Sequence, residues 1–299
     1  RGHRLAEITT WIQGEQGTEV VIVVRHAESQ EEVPLRVKRA NIKVDSVLGV
    51  YRNGATAWNF LLPSEPKIAY FQITDFGDRT VTELRNALAT IEGANRLEGI
   101  IIDLRDNAGG YLSAAVDTCD LFLASGNIVT TRGRGGSVGE TYDADPGGLW
   151  SEIPLVVLIN GESASASEIF AACMQDHRRA TIVGDRSFGK GSVQQIIPLP
   201  DGGLLKLTTA SYHRPSGENI HRRRTMGEEE TWGVQPDAGW QVIVTEVEAN
   251  RRLDARATQI AVPTVALSPQ NERATEADPA LQKAIEVLRG KTESPTATE

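Results

Sequence analysis

Two short, almost wholly apolar segments, Leu97 to Leu104 and Pro154 to Ile159, dominate what this chain can become. Each runs into a polar, glycine-bearing turn and then into a helix-like stretch. Segments this short cannot span a bilayer, and apolar residues on both faces mark strands of a parallel sheet covered by helices. Strands are also predicted at Ile68–Ile73, near Ile128, and at Ala180–Gly184, Ser192–Pro198 and Leu204–Tyr212. Helices are predicted over Thr80–Ile91, over Leu112–Leu123 and from near Ser165. Strands alternating with helices predict a layered α/β fold.

The flanks read differently. Leu5, Ile8, Trp11 and Ile12 recur at helical spacing before Gly14, and two strands follow, Glu19–Arg25 and Val33–Lys38. The Pro-bearing stretch Leu62–Pro66 reads as a linker, Gly133–Gly148 as a mobile polar loop, and Gln241–Val247 as a further strand. Asp278 and Pro279 suit the N-cap and first position of a short amphipathic helix ending at Leu288. The last residues, 291–299, read as a disordered tail.

Bulk properties remove whole classes of function. A formal net charge of -9 repels phosphate backbones and anionic lipid heads, which argues against nucleic acid and membrane surfaces as partners. No apolar run is long enough to insert directly into a membrane. The five histidines show no ligand spacing, so a zinc site is not expected. Cys119 and Cys173 sit in apolar helical contexts and read as buried free thiols.

Three turns carry candidate chemistry, each where an open α/β sheet places its ligands, at a strand's end or beside it. In Asp103-Leu-Arg-Asp-Asn-Ala-Gly-Gly110 the paired glycines let backbone N–H groups approach a ligand, as an oxyanion hole requires. They equally suit a plain tight turn. Ser163, Ser165 and Ser167 alternate at the start of the next helix, and Ser165 with Glu168 fits a capping box. A helix N-terminus also stabilises anions, so a nucleophile there is reasonable, and spacing does not choose among the three serines. In Phe188-Gly-Lys-Gly-Ser-Val-Gln194 the glycines around Lys190 admit close packing, and Lys190 shares a face with Gln194 at either periodicity.

Together with Pro154–Asn160, Gly184–Gln194, Thr209–Gly217 and Gly233–Asp237, these turns resemble the carboxyl-terminal processing (tail-specific) serine proteases over roughly residues 65 to 290. The resemblance implies a crotonase- or ClpP-like layered β-β-α core at 67–238. Residues 1–47 then resemble the second half of a PDZ-type β domain, 48–66 form a linker, and 239–290 a C-terminal strand and helix. It places a nucleophile on Ser165, a general base on Lys190 and an orienting amide on Gln194. Oxyanion N–H groups fall on Gly109, Gly110 and Ala166, and the reaction proceeds through an acyl-enzyme without a cofactor. A lysine ordinarily keeps its proton up to about pH 10.4, so Lys190 is expected to be buried, partly neutral and within hydrogen-bond reach of Ser165.

The implied partners are proteins or peptides with exposed C-termini, with a second copy of the chain or an adaptor protein as further partners. The implied location is a periplasm, cell envelope or secreted compartment. Asp176, on the same helix about 16 Å beyond Ser165, is expected to be structural. Ala108 stands where the family usually has proline, and residues 222–230 form an insertion. Two rivals remain: a catalytically silent binding or scaffold module, and an acyl-CoA enzyme of the crotonase type.

Overall fold

A computed structural model describes residues 3–25, 30–42, 44–53, 57–93, 96–200, 202–227, 229–261 and 277–292. The expected tail lies outside them from residue 293 on. The chain divides into two compact units, Arg1–Val44 and Asp45–Glu299.

The smaller unit has helix α1 (Leu5–Ile12) and an antiparallel hairpin of β1 (Glu19–Arg25) and β2 (Glu32–Lys38). The Arg39 guanidinium donates to the Trp11, Ile12 and Glu19 carbonyls and so ties the hairpin to the helix. Val21, Val23, Leu35 and Val37 remain exposed.

The larger unit opens with four short strands, β3 (Val47–Leu48), β4 (Tyr51–Asn53), β5 (Ala57–Asn59) and β6 (Leu61–Leu62). Next come β7 (Glu65–Ile73), α2 (Thr80–Glu92), β8 (Gly99–Asp103), α3 (Leu112–Asp120), β9 (Gly126–Gly133) and β10 (Val138–Ala144). The chain continues through β11 (Leu155–Ile159), α4 (Ala166–Asp176), β12 (Ala180–Gly184), β13 (Ser192–Pro198) and β14 (Leu204–His213). It ends in α5 (Glu246–Ala261) and α6 (Pro279–Thr292).

In the main sheet β12, β11, β8 and β7 run parallel, with β3 and β6 antiparallel along β7. Alternate residues of the central strands go to opposite faces. Ile100, Ile102, Leu155 and Val157 join the core that includes residues of α2, α3 and α4, whereas Ile101, Val156 and Leu158 meet Leu281, Ala284, Ile285 and Leu288 of α6. Each fully buried aliphatic side chain contributes about 1.5–3 kcal/mol, so neither face is dispensable. A second, antiparallel sheet has the order β10-β9-β14-β13.

A buried ion cluster pins α6 to the sheet. Arg105 is 4% exposed and bonds Asp103 on one side and Asp278 on the other at 2.6–3.1 Å. Asp278 also accepts the Leu281 N–H at 3.2 Å, which makes it the expected N-cap. Burial pushes the Asp103 carboxyl up, but the charge and hydrogen bonds of Arg105 outweigh it and hold the group below its ordinary value. Cys119 and Cys173 are free and buried.

Three readings need correction. Gly133–Gly148 is mostly a hairpin, because Gly135 and Gly136 take positive φ and turn the chain back so that β10 pairs with β9. Gln241 makes only an isolated bridge to Gly184, and the chain then enters α5 through a capping box of Thr245 and Glu248. The stretch taken as a linker contains β4 to β6 and buries Val50 and Leu62.

Candidate active site

The Gly109–Gly110 turn lies directly against the serine turn. A Cβ on Gly109 (φ +106°) would fall 2.7 Å from the Ala164 carbonyl oxygen and 2.8 Å from the Ser165 Cβ. One on Gly110 (φ +150°) would fall 2.3 Å from the Phe76 carbonyl oxygen. Side chains are therefore excluded twice, by the space and by the backbone conformation. Asn107, fully buried, sews the two turns together. Its amide donates to the Ile73 carbonyl, its Oδ1 accepts the Gly109 N–H at 2.8 Å, and its own carbonyl accepts from the Ala164 N–H and the Ser167 hydroxyl.

The three serines separate by burial. Ser163 is inaccessible, and its hydroxyl donates to the Leu104 carbonyl at 2.8 Å. Ser167 is equally buried and bonded to the Asn107 carbonyl at 2.9 Å. Ser165, between them, is partly exposed and sits at the N-cap of α4 with φ 58° and ψ -114°. A non-glycine residue in that region is strained, and such strain persists only where surrounding contacts impose it.

Glu168 supplies those contacts. It is completely buried and accepts the Ser165 N–H (2.8 Å) and the Lys190 N–H (2.7 Å) on one oxygen. The other oxygen accepts the Gly189 N–H and the Ser187 hydroxyl, both at 2.6 Å. Burial raises its pKa, against the pull of these four donors. A single carboxylate oxygen thus holds the backbones of Ser165 and Lys190 side by side. The role of Glu168 is more than the cap expected from Ser165-x-x-Glu168, and the sequence signal for it was that box alone.

The side chains are less closely joined than the backbones. Lys190 is exposed, contrary to the expected burial, and no hydrogen bond joins its amine to Ser165 or to Gln194. Gln194 is exposed on β13 at a register irregularity, and it lines the same cavity as Lys190, of about 1240 Å³. The glycines flanking Lys190 have another cause than lysine burial. A Cβ on Gly189 would lie 2.7 Å from the Arg222 Cβ, and one on Gly191 would lie 2.6 Å from the His221 nitrogen. They admit the neighbouring strand-like segment, whose Arg222 N–H donates to the Gly189 carbonyl at 2.9 Å.

Of the expected oxyanion donors, Gly109 has its N–H committed to Asn107. The N–H groups of Gly110 and Ala166 have no hydrogen-bond partner among the described residues, and Gly110 is exposed. Ala108 is exposed as well. Asp176 lies at the far end of α4, where it binds Arg214 through both oxygens and accepts the Ser216 N–H. No cluster of metal-ligating side chains occurs among the described residues.

A family model described as Peptidase family S41 matches residues 67–239. The chain belongs to this family. A carboxy-terminal-processing protease of Bartonella bacilliformis is 41% identical over 222 residues, which are 73% of this chain and 48% of that protein. The S41 relative from Synechocystis, a carboxyl-terminal-processing protease, is 39% identical over 54% of this chain and 37% of its own length. Among solved structures, a photosystem II D1 C-terminal processing protease superposes with a TM-score of 0.56 at 28% identity. The superposition covers 81% of this chain and 60% of that one. The chain spans about half the length, or less, of the curated S41 relatives it matches. The α/β fold is the one the sequence predicts.

Proposed function

We propose that this chain is the catalytic region of a serine endopeptidase that cleaves protein substrates near their C-termini through an acyl-enzyme. One observation carries the reading. The partly exposed, strained Ser165 stands at a helix N-terminus, as do the Gly110 and Ala166 N–H groups that have no hydrogen-bond partner among the described residues. In this mechanism the Ser165 hydroxyl attacks the scissile carbonyl and passes its proton to a neutral Lys190 amine. The N–H groups of Gly110 and Ala166 receive the oxyanion, and Lys190 returns the proton to the leaving amine. Water then hydrolyses the ester by the same route.

The exposed Lys190 makes the described arrangement a resting one. In the active arrangement its amine turns toward Ser165, loses water and is steered by Gln194, a neutral group that adds no charge. Residues 1–47 would be the second part of a PDZ-type domain, which adds a substrate strand to a sheet edge and holds its carboxylate. Work outside the cytoplasm, and association with a second copy or an adaptor, belong to the same proposal. Among the described residues no helix is long and apolar enough to cross a membrane.

Digestion of an unstructured protein should be compared for the parent chain and Ser165→Ala, together with labelling by a serine-reactive phosphonate. Cleavage and labelling that both disappear in Ser165→Ala are the expected result. Equal cleavage by the two chains would reject Ser165 as nucleophile. A parent chain that neither takes the label nor cleaves any substrate would favour the silent binding module.

A further inference from the structure

We propose that Arg252 is a positioning residue that holds the Gly109–Gly110 turn in register with the serine turn, acting through Asp106 and Asn160. The inference rests on the reading of Ser165 as nucleophile and of the Gly110 and Ala166 N–H groups as oxyanion donors. It adds what fixes the one relative to the other.

β8 and β11 are neighbouring parallel strands, and each delivers one of the two turns at its C-terminal end. Past the paired residues, the Leu104 N–H still donates to the Leu158 carbonyl at 2.9 Å. Beyond it a side-chain pair takes over. The Asp106 N–H donates to Asn160 Oδ1 at 3.0 Å, and the Asn160 amide donates back to Asp106 Oδ1 at 2.8 Å. Each partner also shapes its own turn. Asn160 donates its N–H to the Ser163 hydroxyl oxygen, accepts the Glu162 N–H on Oδ1 and accepts the Ser163 N–H on its carbonyl. Asp106 directly precedes Asn107, whose Oδ1 accepts the Gly109 N–H.

Asp106 is itself strained, with φ 62°. Aspartate enters that region more readily than most residues, yet surrounding contacts must still impose it. Arg252 supplies one from outside both turns. It lies on α5, 146 residues further along the chain, and its guanidinium donates to Asp106 Oδ2 at 2.6 Å. The two carboxylate oxygens are thus held by separate donors, Asn160 on one and Arg252 on the other, which fixes the rotation of the group. The side chains of Arg252 and Asp106 are 17% and 27% exposed, so solvent and salt screen this charge-assisted bond less than a bridge on the open surface. The neighbouring Arg105 is engaged elsewhere, with Asp103 and Asp278.

The test separates positioning from mere stability. kcat and KM are measured on a quenched fluorescent peptide for the parent chain, Arg252→Ala, Arg252→Lys, Asp106→Asn and the Arg252→Ala/Asp106→Asn double variant. Arg252→Ala should lower kcat on the order of tenfold, because misplaced oxyanion donors fail in the transition state. KM should stay within about twofold, since those donors add little to ground-state binding. Lysine also carries a cation to Asp106, so Arg252→Lys should recover most of the rate. Asp106→Asn should resemble Arg252→Ala, and the double variant should be no worse than either, the mark of residues acting through one contact. The partly exposed pair should cost no more than a few degrees in melting temperature. An unchanged kcat in Arg252→Ala, a loss carried by KM, or losses that add in the double variant would overturn the proposal. Amide exchange in the Ser165→Ala chain, read by mass spectrometry, gives a second measure independent of activity. Adding Arg252→Ala should speed exchange over residues 104–111 and leave α6 at its former rate. Unchanged exchange at 104–111, or faster exchange throughout the chain, would equally overturn it. If the parent chain cleaves nothing, the catalytic reading fails, and the exchange result alone decides whether Arg252 positions the turn.

Discussion

The two halves of the candidate site are built to different standards. Ser165 lies in a turn whose neighbours Ser163, Asn107, Ser167 and Glu168 are all buried and hydrogen-bonded. Lys190 and Gln194 project into solvent from a loop and the first residues of β13, whose hairpin with β14 leaves Ile196 64% and Leu204 69% exposed. On the proposed reading the main sheet preorganises the nucleophile's side, while the base's side must still be assembled around its lysine. On that same reading the serine is set in place beforehand and control falls on the lysine.

Removing the amine of the exposed half should have the largest effect. Lys190→Ala and Lys190→Arg should each lower kcat about 10³-fold or more, as expected for loss of a general base. Arginine fails for a specific reason, since its guanidinium keeps its proton at all accessible pH. Because Lys190 is exposed and its side chain bonds nothing among the described residues, both variants should melt like the parent. A well-folded Lys190→Arg chain turning over at the parent rate would end the Ser–Lys mechanism.

The next prediction attacks the rigid half at its anchor. Arg105→Ala leaves Asp103 and Asp278 buried without their cation and uncaps the tie between α6 and the sheet. Breaking a buried pair by removing one partner costs about 3–5 kcal/mol, read as a lower denaturant midpoint. Activity per folded molecule should change little, since the damage lies behind the serine turn. A stability loss below about 1 kcal/mol would mean that the cluster is not the anchor.

The contrast between the halves also explains what was legible from sequence. Strands such as Ala180–Gly184 and Ser192–Pro198 were readable because apolar and β-branched residues fix them locally. The Val138–Ala144 strand was not, because its polar, glycine-bearing sequence takes strand form only by pairing with β9. Helix α5 announced itself through Thr245-x-x-Glu248, a signal overridden by the apolar alternation just before it. At the site, the serine run was visible, but choosing Ser165 from its residues alone required the burial of Ser163 and Ser167, a tertiary property. The glycines beside Lys190 were misread because their close neighbour, the His221–Arg222 segment, lies far along the chain. For the same reason the Gly109→Val and Gly110→Val variants are poor probes of an oxyanion hole: each added Cβ strikes backbone or Ser165 before any chemistry is tested.

Glu168→Gln probes the joint between the halves. The carboxylate offers two acceptor oxygens to four donors, whereas the amide presents one oxygen and one NH₂ group. Whichever way the amide turns, two donors face another donor. Each buried unsatisfied group costs about 1–3 kcal/mol, which predicts a loss of a few kcal/mol in stability. A lower kcat in the molecules that remain folded should accompany it, because either Ser165 and Lys190 lose their common acceptor or Gly189, next to Lys190, loses its own. Unchanged kcat in folded Glu168→Gln would show that the backbone alignment of the two residues is immaterial.

The smallest effect concerns Asp176, at the end of α4 away from Ser165. Its carboxylate is bonded to Arg214, just beyond β14, and to the Ser216 N–H. Burial pushes its pKa up, but these bonds and the Arg214 charge prevail, and the group lies below its ordinary value of 3.8. A carboxyl lowered on folding contributes its stability above the unfolded-state value, and that contribution fades as the pH falls from 3.8 through the folded value. Asp176→Asn should therefore cost about 2 kcal/mol near neutral pH, the range for a charge-assisted hydrogen bond. The cost should shrink on acidification, so melting curves of parent and variant converge below pH 3.8. Specific activity near neutral pH should be untouched, because a whole helix separates Asp176 from the nucleophile. A variant that keeps parental stability yet loses kcat would move Asp176 from a structural tie between the halves to a part in the chemistry.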